Sequence, residues 1–459
     1  MFRVDGGFAP RYCDGISRRS FLQAGVAGVA SVSLAGVARA MQGGNPTAPP
    51  KKDTSVILLW LDGGAGHMDT YDMKPDAPEE YRGLWKPIRT NVPGMEVTEL
   101  FPLQAKIADK FSIIRSLHHD DGDHFGGAHR ILTGRAGASG KDQDGKFPGI
   151  NCIAAKMCGA RKPGMPAQVA LPHAMTVGLR PGYFAGNYLG RQYDPFEPGG
   201  DPNAEKYQVE NLGLAAGMTV ERLDDRRQLR SHLDKIRRDA DRSGLMDAMD
   251  RFDQNAFELI TGPAARKAFD IGSEDPRVRE MYGRNDWGQN ALLARRLVEA
   301  GVTWVTCCLA GWDHHWDLEQ GYVAYLPKLD RVIHGLLTDL SQRGLLDKVL
   351  VLCIGEFGRT PRMNDGGNGG PPRSKGTPGR DHWGNAMSCL IAGGGVKGGQ
   401  VVGSTDRLGE RPKDRPLTPH DLHQTLYHVL GVDPKTSFLD HSGRPLPAVD
   451  GGEPIRELF

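Results

Sequence analysis

The chain has 459 residues, with 57 lysines and arginines against 56 aspartates and glutamates, a formal net charge of +1 at pH 7. Both signs are evenly mixed along it, so no basic face for nucleic acid is implied. Six of the seven cysteines (Cys152, Cys158, Cys307, Cys308, Cys353 and Cys389) lie beyond residue 40. Four of these sit in apolar strand-like runs, where cysteine behaves as a small hydrophobe. Cys152 and Cys158 could form one bridge at most, which excludes a disulfide-stapled scaffold.

The first 40 residues read as an address. Ser17-Arg18-Arg19-Ser20-Phe21-Leu22 precedes an apolar, Gly- and Ala-rich segment from Ala24 to Val37, which closes on Ala38-Arg39-Ala40. Paired arginines, a moderately apolar run and an Ala-x-Ala site make a twin-arginine export signal. The competing reading is a membrane anchor, but the run falls short of the ~20 apolar residues a spanning helix needs. The expectation is therefore export by the twin-arginine machinery to the periplasm or beyond, with no stable membrane span. Cleavage near Met41 leaves 419 residues (459 minus 40). Residues 41–53 form a polar linker, and 54–459 the folded domain. Twin-arginine substrates cross folded, a route that suits a protein loading its metal in the cytoplasm.

From Thr54 onward, strand-like runs alternate with amphipathic helices. Val56–Leu61 predicts a strand, Leu100–Lys110 a helix, Ser112–Ser116 a strand, Gly126–Leu132 the start of a helix and Gln168–Leu171 a strand. The region from about 180 to 285 breaks the rhythm and reads as a helical insertion or cap, its stretch Glu221–Asp253 highly charged. Gln289–Ala300 predicts a helix, Val302–Leu309 a strand and Tyr322–Arg343 a long helix. Lys348–Ile354 and Ala386–Ala392 predict strands, and His420–Leu430 a helix stopped by Gly431. Arg362–Gly379, rich in Gly, Pro and Asn, is a loop long enough to be functional. Strands separated by helices point to a mostly parallel sheet covered on both faces.

Three strand-like runs end on carboxylates. Asp62 follows the first, ahead of Gly63-Gly64, and reads as a metal ligand or as a turn aspartate. Trp312-Asp313-His314-His315 follows the run at 302–309. Imidazole beside carboxylate suits Zn or another borderline divalent ion, and adjacent histidines on extended chain point to opposite sides, leaving open which one ligates. Glu356 and Arg359 close the run at 348–354, as a metal carboxylate with an arginine for a tetrahedral oxyanion, or as an internal ion pair. Asp381-His382 precedes the next strand in a glycine-flanked loop. His118, His119, His124 and His129 cluster around Asp120-Asp121-Gly122-Asp123, with His124 near a helix N-terminus, where backbone amides favour an anion.

With these segments in view, the chain beyond the leader resembles the bacterial family called domain of unknown function 1501, placed with the alkaline phosphatase and sulfatase superfamily. Gly355-Glu356-Phe357-Gly358-Arg359-Thr360-Pro361, Asp381-His382-Trp383-Gly384, the Gly-rich run 393–399 and Gly311-Trp312-Asp313-His314-His315 carry the likeness. The helix Asp421–Gly431 resembles the closing helix of sulfatases. The resemblance implies a three-layer αβα sandwich about a mainly parallel sheet, with metal ligands at strand ends. It implies a metal set of Asp62, Asp313, His315, Glu356 and His382, with His314 and Asp381 as further candidates. Glu356 stands where an aspartate of an Asp-His pair is usual, and Phe357 where its histidine would be, so one metal site is nearly complete and a second has lost an imidazole. Counting back from Leu132-Thr133-Gly134-Arg135, the usual hydroxyl or cysteine nucleophile is replaced by His124. His124 would attack directly as an imidazole or bind metal while a metal-bound hydroxide attacks. The function so implied is an exported hydrolase-like protein holding one or two divalent ions, Zn first, with His124 and Arg359 acting on a small phosphorylated or sulfated substrate. A non-catalytic binding or assembly protein is the alternative, and a conventional sulfatase ranks third.

Overall fold

A computed structural model describes residues 53–137, 145–209, 212, 222, 225, 262–365 and 377–459. The segment 1–40 read as an export signal, nearly all of the expected linker, most of the charged stretch 221–253 and the middle of the loop 362–379 lie outside these residues. No helix among the described residues is long and apolar enough to cross a membrane.

Seven strands form one sheet: β1 (Ser55–Trp60), β2 (Phe111–Leu117), β3 (Gln168–Leu171), β4 (Trp304–Cys308), β5 (Val349–Ile354), β6 (Met387–Ala392) and β7 (Val401–Val402). Their order is β7-β2-β6-β5-β1-β4-β3. All neighbours pair parallel except β6, which runs against both β2 and β5. Strands β1, β4 and β5 are buried along their whole length, which is why they read as unbroken apolar runs and not as alternating ones.

Successive side chains of β1 feed two cores, as the period of two demands. Ile57 and Leu59 pack in one layer with α3 (Pro263–Phe269), α4 (Pro276–Tyr282), α5 (Asp286–Ala300) and α6 (Leu318–Gln342). Val56, Leu58 and Trp60 pack in the other with α1 (His124–Thr133), α2 (Ile150–Cys158) and α7 (Pro419–Leu430). This is the three-layer αβα arrangement anticipated from the alternation of elements. Helix α7 opens on Pro419, where its missing N–H costs nothing, and stops at Gly431 in the left-handed region (φ 67).

One expectation changes, and one open question is answered. The helix expected over Leu100–Lys110 is a pair of 3-10 turns, Gln104–Lys106 and Ala108–Lys110. Ile107 at φ −126 separates them, and the Asp330 carboxylate accepts from the amides of Leu103 and Gln104 at 2.9 and 2.8 Å, fixing the first turn from outside. Cys152 is a free thiol that donates to the Phe184 carbonyl at 3.2 Å, and burial pushes its pKa up to about 12. Of the insertion expected over 180–285, the described flanks are short 3-10 turns between Gly182 and Tyr193 and the helices α3 and α4.

Candidate functional site

Register explains why the three carboxylates meet. Trp60 lies opposite Cys308 on one side and Ile354 on the other, so β1, β4 and β5 end level. Asp62, Asp313 and Glu356 follow at the carboxyl edge of the sheet, where open α/β sheets place their ligand sites. His124 is the first residue of α1, whose N-cap Asp123 accepts from the Phe125 and Gly126 amides, both at 3.0 Å. A two-stranded ribbon pairs Gly358–Arg359 with His382–Trp383 and brings the two glycine-flanked motifs together.

The centre of the cluster is Asp313. Its Oδ1 lies 3.0 Å from His315 Nε2 and 3.2 Å from His382 Nε2, and its Oδ2 lies 3.2 Å from His124 Nε2. Each imidazole is held from behind through Nδ1: His124 by Glu356 Oε1 at 2.7 Å, His315 by Asp381 Oδ1 at 2.6 Å and His382 by the Gly122 carbonyl at 2.7 Å. A carbonyl only accepts, so His382 Nδ1 carries a proton, whereas His124 and His315 meet a carboxylate at each nitrogen, which favours the doubly protonated ring in metal-free protein. All three Nε2 atoms face the one carboxylate of Asp313, and loss of the Nε2 proton would turn three lone pairs toward the same point. This is the arrangement that metal-ligating histidines adopt, with the far nitrogen tied to a carbonyl or carboxylate.

Glu356 is wholly buried. Its Oε1 also accepts from the Gly63 amide at 2.9 Å, while Oε2 is buried without a hydrogen-bond partner. An orphaned, buried carboxylate oxygen is costly unless a cation or proton meets it. Burial, reinforced by the Glu356 charge, pushes the Asp62 carboxyl up to about 7. Burial opposes the ionisation of Asp313, but its three imidazole contacts and Arg359 hold its carboxyl far below the usual range. Burial likewise opposes charge on His124, yet Asp313 and Glu356 on its two nitrogens push it up to about 9. The contact with Asp313 raises His315. Negative charge thus accumulates here and is met by protons on imidazole. His124, Asp313 and His382 each offer a ligand atom within 4.8 Å of the others, and this nitrogen-and-oxygen donor set fits a borderline divalent ion.

The cluster contains Asp313, His315, Glu356, His382 and His124, with Asp62 beside it and Asp381 behind His315. The paired histidines divide as extended chain requires, His315 inward and His314 away. His314 packs edge-on against Tyr322 and Tyr325, and burial lowers its pKa. Arg359 is a correction. It is fully buried, with Nε on the Gly64 carbonyl and Nη1 on the Arg380 carbonyl, both at 3.0 Å. Its Nη2 is on the Gly63 carbonyl and on Asp313 Oδ1, the latter at 2.6 Å. Four of its five N–H donors are thus spent on the loops and on Asp313, and the buried side chain clamps the Asp62 turn, Asp313 and the Asp381 loop together instead of facing a substrate anion. Of the other histidines, His129 belongs to the core of α1, and His119 props the site, donating through Nε2 to the Glu356 carbonyl at 2.6 Å. Phe357 stacks on His382 with ring centroids 4.4 Å apart.

Two contributors were not foreseen. Arg380, fully buried, pairs with buried Asp69 at 2.9 Å and bonds the carbonyls of Thr360, Pro361 and Arg82, pinning the loop that carries Asp381. Val177 donates its amide to Asp62 Oδ1 at 2.7 Å. It sits at φ 43, the one β-branched residue among five described non-glycine residues with positive φ, a conformation that costs of order 1–3 kcal/mol. Arg380 carries no signal distinguishing it from a loop arginine, and at Val177 only the following glycine hints at a turn.

The molecule is thus an α/β protein with a histidine–carboxylate cluster at the carboxyl edge of a mainly parallel sheet. It belongs to the family described as "Protein of unknown function (DUF1501)", which matches residues 53–459. No curated protein matches the chain. Similar solved structures include a protein in the alkaline phosphatase superfamily from Vibrio parahaemolyticus, at 12% identity over 86% of this chain and 72% of that one, with a TM-score of 0.39. The phosphonate monoester hydrolase SpPMH from Silicibacter pomeroyi is 10% identical over 88% and 76%, with a TM-score of 0.35. The C-terminal periplasmic domain of EcEptC from Escherichia coli, in complex with Zn, is 11% identical over 91% and 96%, also at 0.35. These are distant likenesses, so function has to be argued from the site.

Proposed function

We propose that this protein binds a divalent cation through Asp313, His382, His315 and His124, Zn being the ion that best suits these donors, and that it hydrolyses a small phosphate or sulfate ester there. The observation that carries the reading is the convergence of three back-bonded imidazole Nε2 atoms on the single carboxylate of Asp313. A cation held there supplies Lewis-acid polarisation of an ester oxygen. The chain's own groups do the rest. Glu356 and Asp381 orient His124 and His315, and Arg359 fixes Asp313. In metal-free protein, burial and the Glu356 charge push the Asp62 carboxyl up to about 7, and a carboxyl beside the cluster is placed to serve as a general acid or base. Glu356 Oε2 and Asp62 together form the remnant of a second cation site.

A second reading, a non-catalytic cation-binding or assembly protein, is favoured by one observation. His124 stands where a nucleophile is sought, yet Glu356 and Asp313 engage both of its nitrogens. Elemental analysis of protein purified without added metal, followed by a panel of aryl phosphates and sulfates, separates the readings. A stoichiometric divalent ion with turnover that disappears in His382→Ala supports the hydrolase. The ion without turnover supports the binder, and trace metal alone rejects the site. We further propose export through the leader at 1–40. Accumulation of uncleaved precursor when Arg18 and Arg19 become lysines is the expected outcome, and normal processing of that variant counts against twin-arginine export.

A further inference from the structure

The turn that carries Val177 is built against folding preference. Thr176 and Leu179 exchange both backbone hydrogen bonds, at 2.8 and 2.9 Å, leaving Val177 and Gly178 as a two-residue tip with φ 43 and φ 80. Positive φ at both tip positions is the primed hairpin turn that favours Asn-Gly or Gly-Gly. A β-branched residue at the first position is the wrong chemistry for it. The backbone job of the tip, donating N–H to Asp62, needs no side chain. Burial repays the isopropyl group only in part, since Val177 is 36% exposed and Leu179 is 42% exposed. Only five large hydrophobic residues are this exposed among the described residues, and two of them stand on this one turn. The base of the turn, by contrast, is fixed: Thr176 is fully buried and its hydroxyl bonds Tyr183 Oη at 2.8 Å. A rigid base therefore presents a strained, apolar tip directly beside the buried carboxylate of the site.

Strain only partly offset by burial, located at a site, points to contact with a ligand. We propose that Val177 and Leu179 form the apolar wall of the site and set its specificity, receiving an aryl or branched alkyl group of the substrate while its anionic group lies at the histidine–carboxylate cluster. The inference rests on the ester reading above and deepens it to esters with an apolar substituent. Ligand pockets commonly combine an apolar wall with a few placed polar groups in this way. Asp62 joins the two halves, since the carboxylate beside the cluster also holds the tip through the Val177 amide.

The test uses the full chain loaded with Zn and two probes, phenyl phosphate and methyl phosphate, whose competition constants or kcat/KM values give a ratio. The wild type is expected to prefer the phenyl ester. Val177→Gly, which keeps the amide and removes the side chain, lowers that preference by roughly tenfold. Leu179→Ser, which leaves the tip intact, lowers it in the same direction. Val177→Gly also raises or leaves unchanged the melting temperature, because glycine tolerates the tip conformation. An unchanged ratio in both variants, with methyl phosphate still recognised, overturns the wall while leaving the ester reading intact. A clear drop in melting temperature in Val177→Gly also overturns it, by showing that the side chain serves the fold. Failure of the wild type to recognise either ester overturns the ester reading, and the wall with it.

Discussion

His315 Nε2 lies 3.0 Å from His382 Nε2, and both rings have their other nitrogen tied to an oxygen, Asp381 Oδ1 behind one and the Gly122 carbonyl behind the other. Two neutral imidazoles so oriented set lone pair against lone pair, with the Asp313 carboxylate completing the triangle. A proton resolves the conflict in metal-free protein, and the proposed divalent cation would resolve it on binding. His315→Ala and His382→Ala are each expected to weaken Zn affinity by more than the 10–100-fold typical of losing a supporting partner. Competition against a fluorescent chelator measures this. Wild-type affinity in both variants would show that the rings are not ligands.

The Asp381 carboxylate reaches the centre only through His315, so its removal should act on orientation. Asp381→Asn keeps an acceptor for Nδ1–H but loses the charge that raises imidazole basicity. The expected loss in Zn affinity is about 10-fold, at the lower end of the 10–100-fold range for outer-shell partners, and Asp381→Ala should lose more. A calorimetric Zn titration reads both. Equal affinities in the wild type and Asp381→Ala would mean that the pair at 2.6 Å is incidental.

Arg359 separates a structural from a substrate-binding role. An arginine that orients an anion is exposed to it, and its loss raises KM without unfolding the protein. Arg359 instead spends its fork on three carbonyls and Asp313 while fully buried. Removing one partner of such a buried arrangement leaves uncompensated polar groups and costs roughly 3–5 kcal/mol. Arg359→Lys supplies the charge without the fork geometry and is expected to recover less than half of that cost. Chemical denaturation of Arg359→Ala and Arg359→Lys tests it. Wild-type stability in Arg359→Ala would return the residue to the substrate.

The strands were legible because they are buried on both faces. The uninterrupted apolar runs at 55–60 and 349–354 have few other interpretations, and the carboxylates that follow them fall at the sheet edge once the register is level. The identity of the inward histidine was not legible. His314 and His315 differ only in the side to which extended chain directs them, and the antiparallel pairing of Arg359 with His382 that brings His382 beside His315 is a long-range fact. Arg359 misled because a guanidinium near carboxylates has the same local sequence whether it faces a ligand or three backbone carbonyls. Val177 was hidden for a different reason: its importance lies in a φ angle that its residue type disfavours. The segment Leu100–Lys110 has helical spacing, but Asp330 from α6 caps its first turn and Ile107 breaks it.

The charge balance of the cluster makes metal-free stability depend on pH in a definite direction. His124 has a pKa of about 9 in the folded protein against 6.5 ordinarily, so the folded state holds this proton more tightly than the unfolded one. Its contribution is complete below pH 6.5 and disappears as the pH rises through about 9. Asp62, raised from 3.8 to about 7, acts in the same sense at lower pH, contributing fully below 3.8 and nothing above about 7. Asp313, held below its ordinary value, acts oppositely, with stability present above 3.8 and lost as the pH falls through its folded pKa. Between pH 6.5 and 9 the chelator-treated protein should therefore lose stability steadily, and His124→Gln should flatten the decline. A cation prefers the deprotonated ligands, so Zn binding releases protons and strengthens over the same interval. The melting-temperature gap between Zn-loaded and chelated protein is thus expected to widen from pH 6.5 to 9. Differential scanning calorimetry across that window measures it. A gap that stays constant, in wild type and His124→Gln alike, would show that the cation does not displace the His124 proton and is bound elsewhere.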